Sequence, residues 1–105
     1  MFLEVHTSFA DLDKAKDISH KMIEDGLAAC ANLLPAFSLY RWAGKIASED
    51  EVIAVFKTTE EMYPEFEKQM KALHPYEVPM IVANRIVTGD DDYLSWLKDS
   101  LRKEE

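Results

Sequence analysis

At 105 residues, 48% of them apolar, the chain is large enough for one packed domain, residues 1–105, and too small for two. Twenty acidic residues against 12 basic ones leave a net charge of −8, which disfavours nucleic acid and anionic membrane as partners. The longest apolar runs, Leu27–Ala31 and Val52–Phe56, fall far short of the roughly 20 residues a membrane helix needs. Met1–His6 carries neither the basic nor the apolar stretch of a secretory signal, so a cytoplasmic location is expected. The lone Cys30 excludes an internal disulfide.

Taken in chain order, Phe2–Thr7 alternates Leu3 and Val5 against Glu4 and His6, the pattern of a strand. Asp11 is placed to cap a helix whose apolar positions are Leu12, Ala15, Ile18, Met22 and Ile23, with Gly26 as its stop. Ala28–Leu34 is too short for a second helix and reads as a strand. Pro35 predicts a bend or bulge before the strand resumes over Phe37–Trp42. Ala43-Gly44 marks a hairpin tip. The return strand begins near Lys45, crosses Glu49-Asp50-Glu51 and becomes strongly strand-like over Val52–Lys57. Thr58 to Glu61 has the spacing of a capping box, with Pro64 as the alternative start of the next helix. Phe66, Met70 and Leu73 form that helix's apolar stripe, which His74-Pro75 ends. Met80–Val87 reads as a fourth strand broken by Gly89. Asp90-Asp91-Asp92 then suits the N-terminus of a last helix carrying Leu94, Leu97 and Leu101 inward.

Two strand–helix–strand halves in series describe a ferredoxin-like α+β sandwich, βαββαβ, here with a long hairpin and an extra C-terminal helix. Both crossover helices of such a fold cover one face of the sheet. Yet Val52, Ala54 and Phe56 alternate with Ile53 and Val55, so this strand is apolar on both sides. The hairpin arm adds Tyr40 and Trp42 on one face and Phe37 and Leu39 on the other. One extra helix cannot cover so much, and a partner subunit is expected, with the hairpin as its reach.

No histidine stands at metal-site spacing, and His20 lies on the polar side of its helix as a solvated residue. His6, on the first strand, and His74, at a helix end, could meet only in three dimensions, and His74 also suits a helix C-terminus electrostatically. Cys30, among alanines and with no adjacent base, reads as a structural thiol. The acidic clusters lack calcium-loop spacing, and no phosphate-cradling glycine motif or nucleophile elbow is present. More informative are Tyr40, Trp42, Lys57 and the His74-Pro75-Tyr76-Glu77 segment, polar-tipped aromatics and cations gathered at element ends, as in interfaces and clefts.

The segments Leu27–Asn32, Ser38–Lys45, Phe56–Thr59, His74–Pro79 and Asp92–Leu97, in this order over the whole chain, resemble the CutA family of divalent-cation tolerance proteins. The resemblance implies a tightly packed homotrimer with strands crossing between subunits, no enzymatic activity, no organic cofactor, and binding of copper or another divalent cation. It places Cys30 on the family's signature cysteine and His74 on the histidine proposed to bind copper. His6 falls where some members carry a further thiol ligand. Imidazole suits Cu(II), whereas loss of a thiolate weakens any preference for Cu(I). Tyr40, Trp42, Lys57, Tyr76, Glu77 and Trp96 are the implied pocket or interface residues. Ala43 and Met80 stand where the family often carries acids, so no ligand role falls there.

The leading expectation is therefore a homotrimer that binds a divalent metal or small ligand weakly at subunit junctions and serves the response to metal ions. One rival is a small-molecule signalling trimer like the nitrogen regulatory proteins, with Lys57 and Arg85 meeting an anion. A second is an enzyme built around Lys57, His74 or Cys30. A third is a stable scaffold with incidental copper binding, since Cu(II) heads the divalent affinity order.

Overall fold

The computed structural model describes residues 1–103. Seven elements follow in the order β1 (Phe2–Phe9), α1 (Leu12–Glu24), β2 (Cys30–Trp42), β3 (Lys45–Thr59), α2 (Tyr63–Leu73), β4 (Val82–Arg85) and α3 (Asp91–Asp99). The strands form one antiparallel sheet ordered β2-β3-β1-β4, the arrangement expected of two interlocked βαβ halves.

Local chemistry sets the element ends. Asp11 caps α1 by accepting the Lys14 N–H at 2.7 Å, and Asp90 caps α3 by accepting the Tyr93 N–H at 3.0 Å. Gly26 closes α1 at φ +72°, where a Cβ would lie 2.7 Å from the Arg102 Cβ. The residue must therefore be glycine both for its backbone and for the chain that packs on it; Arg102 N–H donates to the Gly26 carbonyl. The hairpin turns on Ala43 and Gly44, both at positive φ, the geometry that matches strand twist in a two-residue loop.

One face of β1 supplies Leu3, Val5 and Phe9 to the core, and β3 supplies Ala54 and Phe56. From the helices come Ala15, Ile18, Met22, Phe66, Met70 and Leu97. The Phe56 and Phe66 rings meet edge to face at 5.1 Å.

Three expectations need correction. Pro35 causes no bulge: the β2–β3 register runs unbroken from Cys30↔Lys57 through Pro35↔Val52 to Trp42↔Lys45. As β2 lies at the sheet edge, a residue without an N–H is tolerated there. The capping box does not form, because the Thr58 hydroxyl is buried and donates to the Leu27 carbonyl at 2.7 Å. Helix α2 starts at Tyr63 instead, with Pro64 second in its first turn, where a missing N–H costs nothing, while Thr59 Oγ1 accepts the Met62 N–H at 3.3 Å.

The third correction bears on function. Strand β4 spans only Val82–Arg85, not Met80–Val87. Its ladder is extended at one end by the Ile86 N–H on the Phe2 carbonyl. Backbone groups alternate sides along a strand, so the carbonyls of Glu4, His6 and Ser8 face β4 as Phe2 does. At Ser8 no strand partner arrives, because the His74 ring takes that carbonyl at 2.7 Å.

Strand β1 ends opposite Val52, so the hairpin from Ala36↔Glu51 to Trp42↔Lys45 has no third strand beside it. At about 3.3 Å per residue it projects roughly 20 Å, in a molecule 44 × 26 × 22 Å across. Phe37, Leu39, Trp42 and Ile46 are each about 70% exposed on it. Among the described residues no helix is long and apolar enough to cross a membrane.

Candidate functional site

The candidate residues fall into two groups, one on the sheet face away from α1 and α2, the other where α2 meets the hairpin. Pleating sends Leu3 and Val5 into the core and Glu4 and His6 to the opposite face. Register then lays Cys30, Lys57, Glu4 and Asn84 in one row across all four strands, with Asn32, Val55, His6 and Val82 in the next.

Within these rows His6 Nε2–H donates to Glu4 Oε1 at 2.8 Å, with both side chains about one-third exposed. In the neutral ring that bond sets the tautomer and leaves the Nδ1 lone pair open: among the described residues no hydrogen bond reaches it. A histidine oriented by a carboxylate through one nitrogen and open at the other is a common metal-ligand arrangement. Lys57 Nζ donates to Asn32 Oδ1 at 3.5 Å. The Cys30 Sγ and Tyr93 hydroxyl stand 3.6 Å apart, and this contact, with partial burial, pushes the Tyr93 hydroxyl up. Trp96 lies behind Tyr93, ring centres 5.6 Å apart. Cys30 and Glu4 are two strands apart, roughly 10 Å, too far to share an ion within one chain.

His74 belongs to the second group and is 93% buried, stacked on Phe9 with ring centres 4.6 Å apart and planes at 13°. Its Nε2–H donates to the Ser8 carbonyl, and its Nδ1 accepts the Tyr76 N–H at 3.1 Å. Both ring nitrogens are thus engaged inside the chain. Burial lowers the His74 pKa against the raising effects of the Ser8 carbonyl and the Glu51 carboxylate. The Tyr76 hydroxyl donates to Glu51 Oε2 at 2.7 Å, and burial with that carboxylate holds it well above the usual tyrosine range. Tyr40 stands near by, raised by burial and by Glu49.

The structure therefore brings together Tyr40, Tyr76, Glu49 and Glu51 around the hairpin base, and Cys30, Tyr93 and Trp96 beside α3. It keeps His6 and His74 in separate surroundings. Trp42 lies at the exposed hairpin end and Glu77 is exposed on the loop after α2. Among the described residues no three His, Cys, Asp or Glu side chains cluster closely enough to hold an ion. Lys57 and Arg85 oppose Glu4 and Leu3, hence opposite faces of the sheet, and do not converge on an anion within one chain. Arg85 Nε instead donates to Glu60 at 2.6 Å.

Glu4 stands beside His6 on one strand face in the sequence pattern, whereas the pairing of Glu51 with Tyr76 and of Tyr93 with Cys30 is not written there. Those two pairs span long separations and left no signal.

Comparison with known proteins places this geometry. A Thermus thermophilus protein named divalent-cation tolerance protein CutA is 41% identical over 87 residues, 82% of this chain and 84% of that one. The crystal structure of CutA1 from Oryza sativa superposes with a TM-score of 0.95 at 33% identity, covering 98% of this chain and 95% of that one. A CutA structure from Archaeoglobus fulgidus, described as a periplasmic divalent cation tolerance protein, gives 0.94 at 31%, covering 97% and 100%. Residues 3–100 match the family described as CutA1 divalent ion tolerance protein, and the chain belongs to that family.

Proposed function

We propose that this chain is a non-enzymatic cation-binding protein of the divalent-cation tolerance family, working as a homotrimer whose cation sites are completed between copies. The observation that carries this reading is the His6–Glu4 pair on the open face of the sheet: one imidazole held in place by a carboxylate, with its second nitrogen free. Nitrogen and oxygen donors of this kind fit Cu(II) or Zn(II), but one pair is fewer than the four ligands such ions usually take. Copies packed on the same face would supply the remainder, and Cys30 lies on that face as a further donor.

The assembly reading has separate support. A two-stranded ribbon carrying Phe37, Leu39, Tyr40, Trp42 and Ile46 outward is marginal alone in water, and a neighbouring copy is the surface it fits. When bound, the cation supplies positive charge to a chain of net charge −8, and His6 and Glu4 hold it without any group transfer.

Native mass spectrometry of metal-stripped protein titrated with Cu(II) tests both parts. A species of about 36 kDa, three times 12.1 kDa, taking up copper in saturable steps that His6→Ala abolishes, is the expected result. A monomer at micromolar concentration would remove the assembly. Uptake without preferred stoichiometry, or unchanged in His6→Ala, would remove the site and favour the scaffold reading.

A further inference from the structure

We propose that His74 is a positioning residue and not a metal donor: its ring completes the edge of the sheet and folds the following loop into a strap that holds the hairpin at its base. The argument begins with the lost ladder position. Ser8 directs its carbonyl toward the side where β4 stops short, and a buried carbonyl without a donor is costly. His74 Nε2–H fills that place at 2.7 Å, doing for Ser8 what a strand N–H would have done.

With Nε2 carrying the proton, Nδ1 has a lone pair directed at the chain just beyond the helix. The Tyr76 N–H donates to it at 3.1 Å, which turns residues 74–76 back on themselves around Pro75. The His74 ring stacks flat on Phe9, centres 4.6 Å apart, and meets Tyr76 at a tilt of 58°, centres 4.8 Å apart. An imidazole bonded through both nitrogens and 93% buried has no lone pair left for an ion; binding one would require breaking the Ser8 or the Tyr76 bond.

The same turn delivers the Tyr76 hydroxyl onto Glu51 Oε2 at 2.7 Å. Glu51 opposes Ala36, the first pair of the hairpin beyond the end of β1. Among the described residues this is the side-chain hydrogen bond that joins the free-standing part of the hairpin to the body. His74 thus acts on the hairpin through Tyr76, setting the direction in which the ribbon leaves the sheet. The consequence for assembly rests on the reading of the hairpin as an intersubunit contact; the strap itself does not.

Three measurements test this. In the intact parent protein, ¹⁵N spectra of His74 should show Nε2 protonated and Nδ1 bare, and adding Zn(II), a diamagnetic probe, should leave both signals in place while those of His6 move. A His74 nitrogen that shifts on metal addition overturns the proposal, and no variant has to fold for this to be read. Tyr76→Phe removes only the hydroxyl, and hydrogen exchange at residues 36–51 should quicken about five- to tenfold with Cu(II) uptake unchanged. Exchange at parental rates overturns the strap. His74→Gln keeps a donor for Ser8, and His74→Asn keeps an acceptor for Tyr76. Each should loosen the hairpin while binding Cu(II) within about twofold of the parent, and a tenfold loss of binding in a folded variant would restore His74 as a ligand. If the parent is a monomer, the assembly reading fails, but exchange and metal titration still decide the strap.

Discussion

Two histidines of one chain show how surroundings separate roles that a sequence cannot. His6 and His74 are equal as letters, and family resemblance favours His74 as the ligand. In the fold His6 is oriented by Glu4 and keeps a free nitrogen, whereas His74 spends both nitrogens on backbone groups. This has a thermodynamic signature. Burial lowers the His74 pKa below its usual value near 6.5, so between the two values the unfolded chain binds more protons than the folded one. Stability from this group is complete above about pH 6.5 and is lost as pH falls through the lowered folded-state value. Urea midpoints followed downward from pH 7.5 should therefore decline in the parent and decline less in His74→Gln. Equal slopes in the two chains would show that His74 titrates alike folded and unfolded.

At the scale of elements, most of the fold was legible because it rests on short-range rules. Asp11 and Asp90 cap their helices, Gly26 ends the first, and Ala43-Gly44 turns the hairpin, each through bonds within a few residues. The departures came where a distant residue intervened. Thr58 has the letter of a cap but faces the buried Leu27 carbonyl, and β4 stops short of Ser8, whose carbonyl is taken by His74, 66 residues further along the chain. Pro35 was misread because strand order, which put it on an edge, is not a local property. The candidate site was less legible still: His6 was visible, but its separation from His74 and Cys30 depends on the register of the whole sheet.

The hairpin, read correctly as over-apolar, yields an element-scale prediction. Phe37 and Leu39 are about 70% exposed, so the isolated subunit gains almost nothing from them. Replacing both, Phe37→Ser with Leu39→Ser, should leave far-UV circular dichroism unchanged. If a neighbour buries the two side chains, the loss is about 3–6 kcal/mol per copy, enough to weaken association at least a hundredfold. Sedimentation velocity at micromolar concentration would show monomers. Undiminished assembly would mean that the ribbon lies outside the contact.

For the whole molecule, the proposed assembly sets apolar attraction between copies against their charge. Each chain carries −8, so three brought into contact repel over a distance comparable to the ~10 Å screening length at 0.1 M salt. Nonpolar burial is not weakened by simple salt, whereas the repulsion is. Assembly should therefore tighten as sodium chloride rises from about 20 mM to 500 mM, read as a falling dissociation midpoint in sedimentation or mass photometry. On the proposed reading, a divalent cation held at His6 and Glu4 would lower the same repulsion by neutralising charge where the copies meet. Micromolar Cu(II) or Zn(II) should then tighten the parent assembly at 20 mM salt, and have far less effect at 500 mM, where screening has already removed most of the repulsion. His6→Ala should keep the salt response and lose the metal response. If salt instead loosens the parent assembly, ion pairs between copies outweigh net repulsion, and the link from cation binding to assembly has to be sought in specific bridging donors.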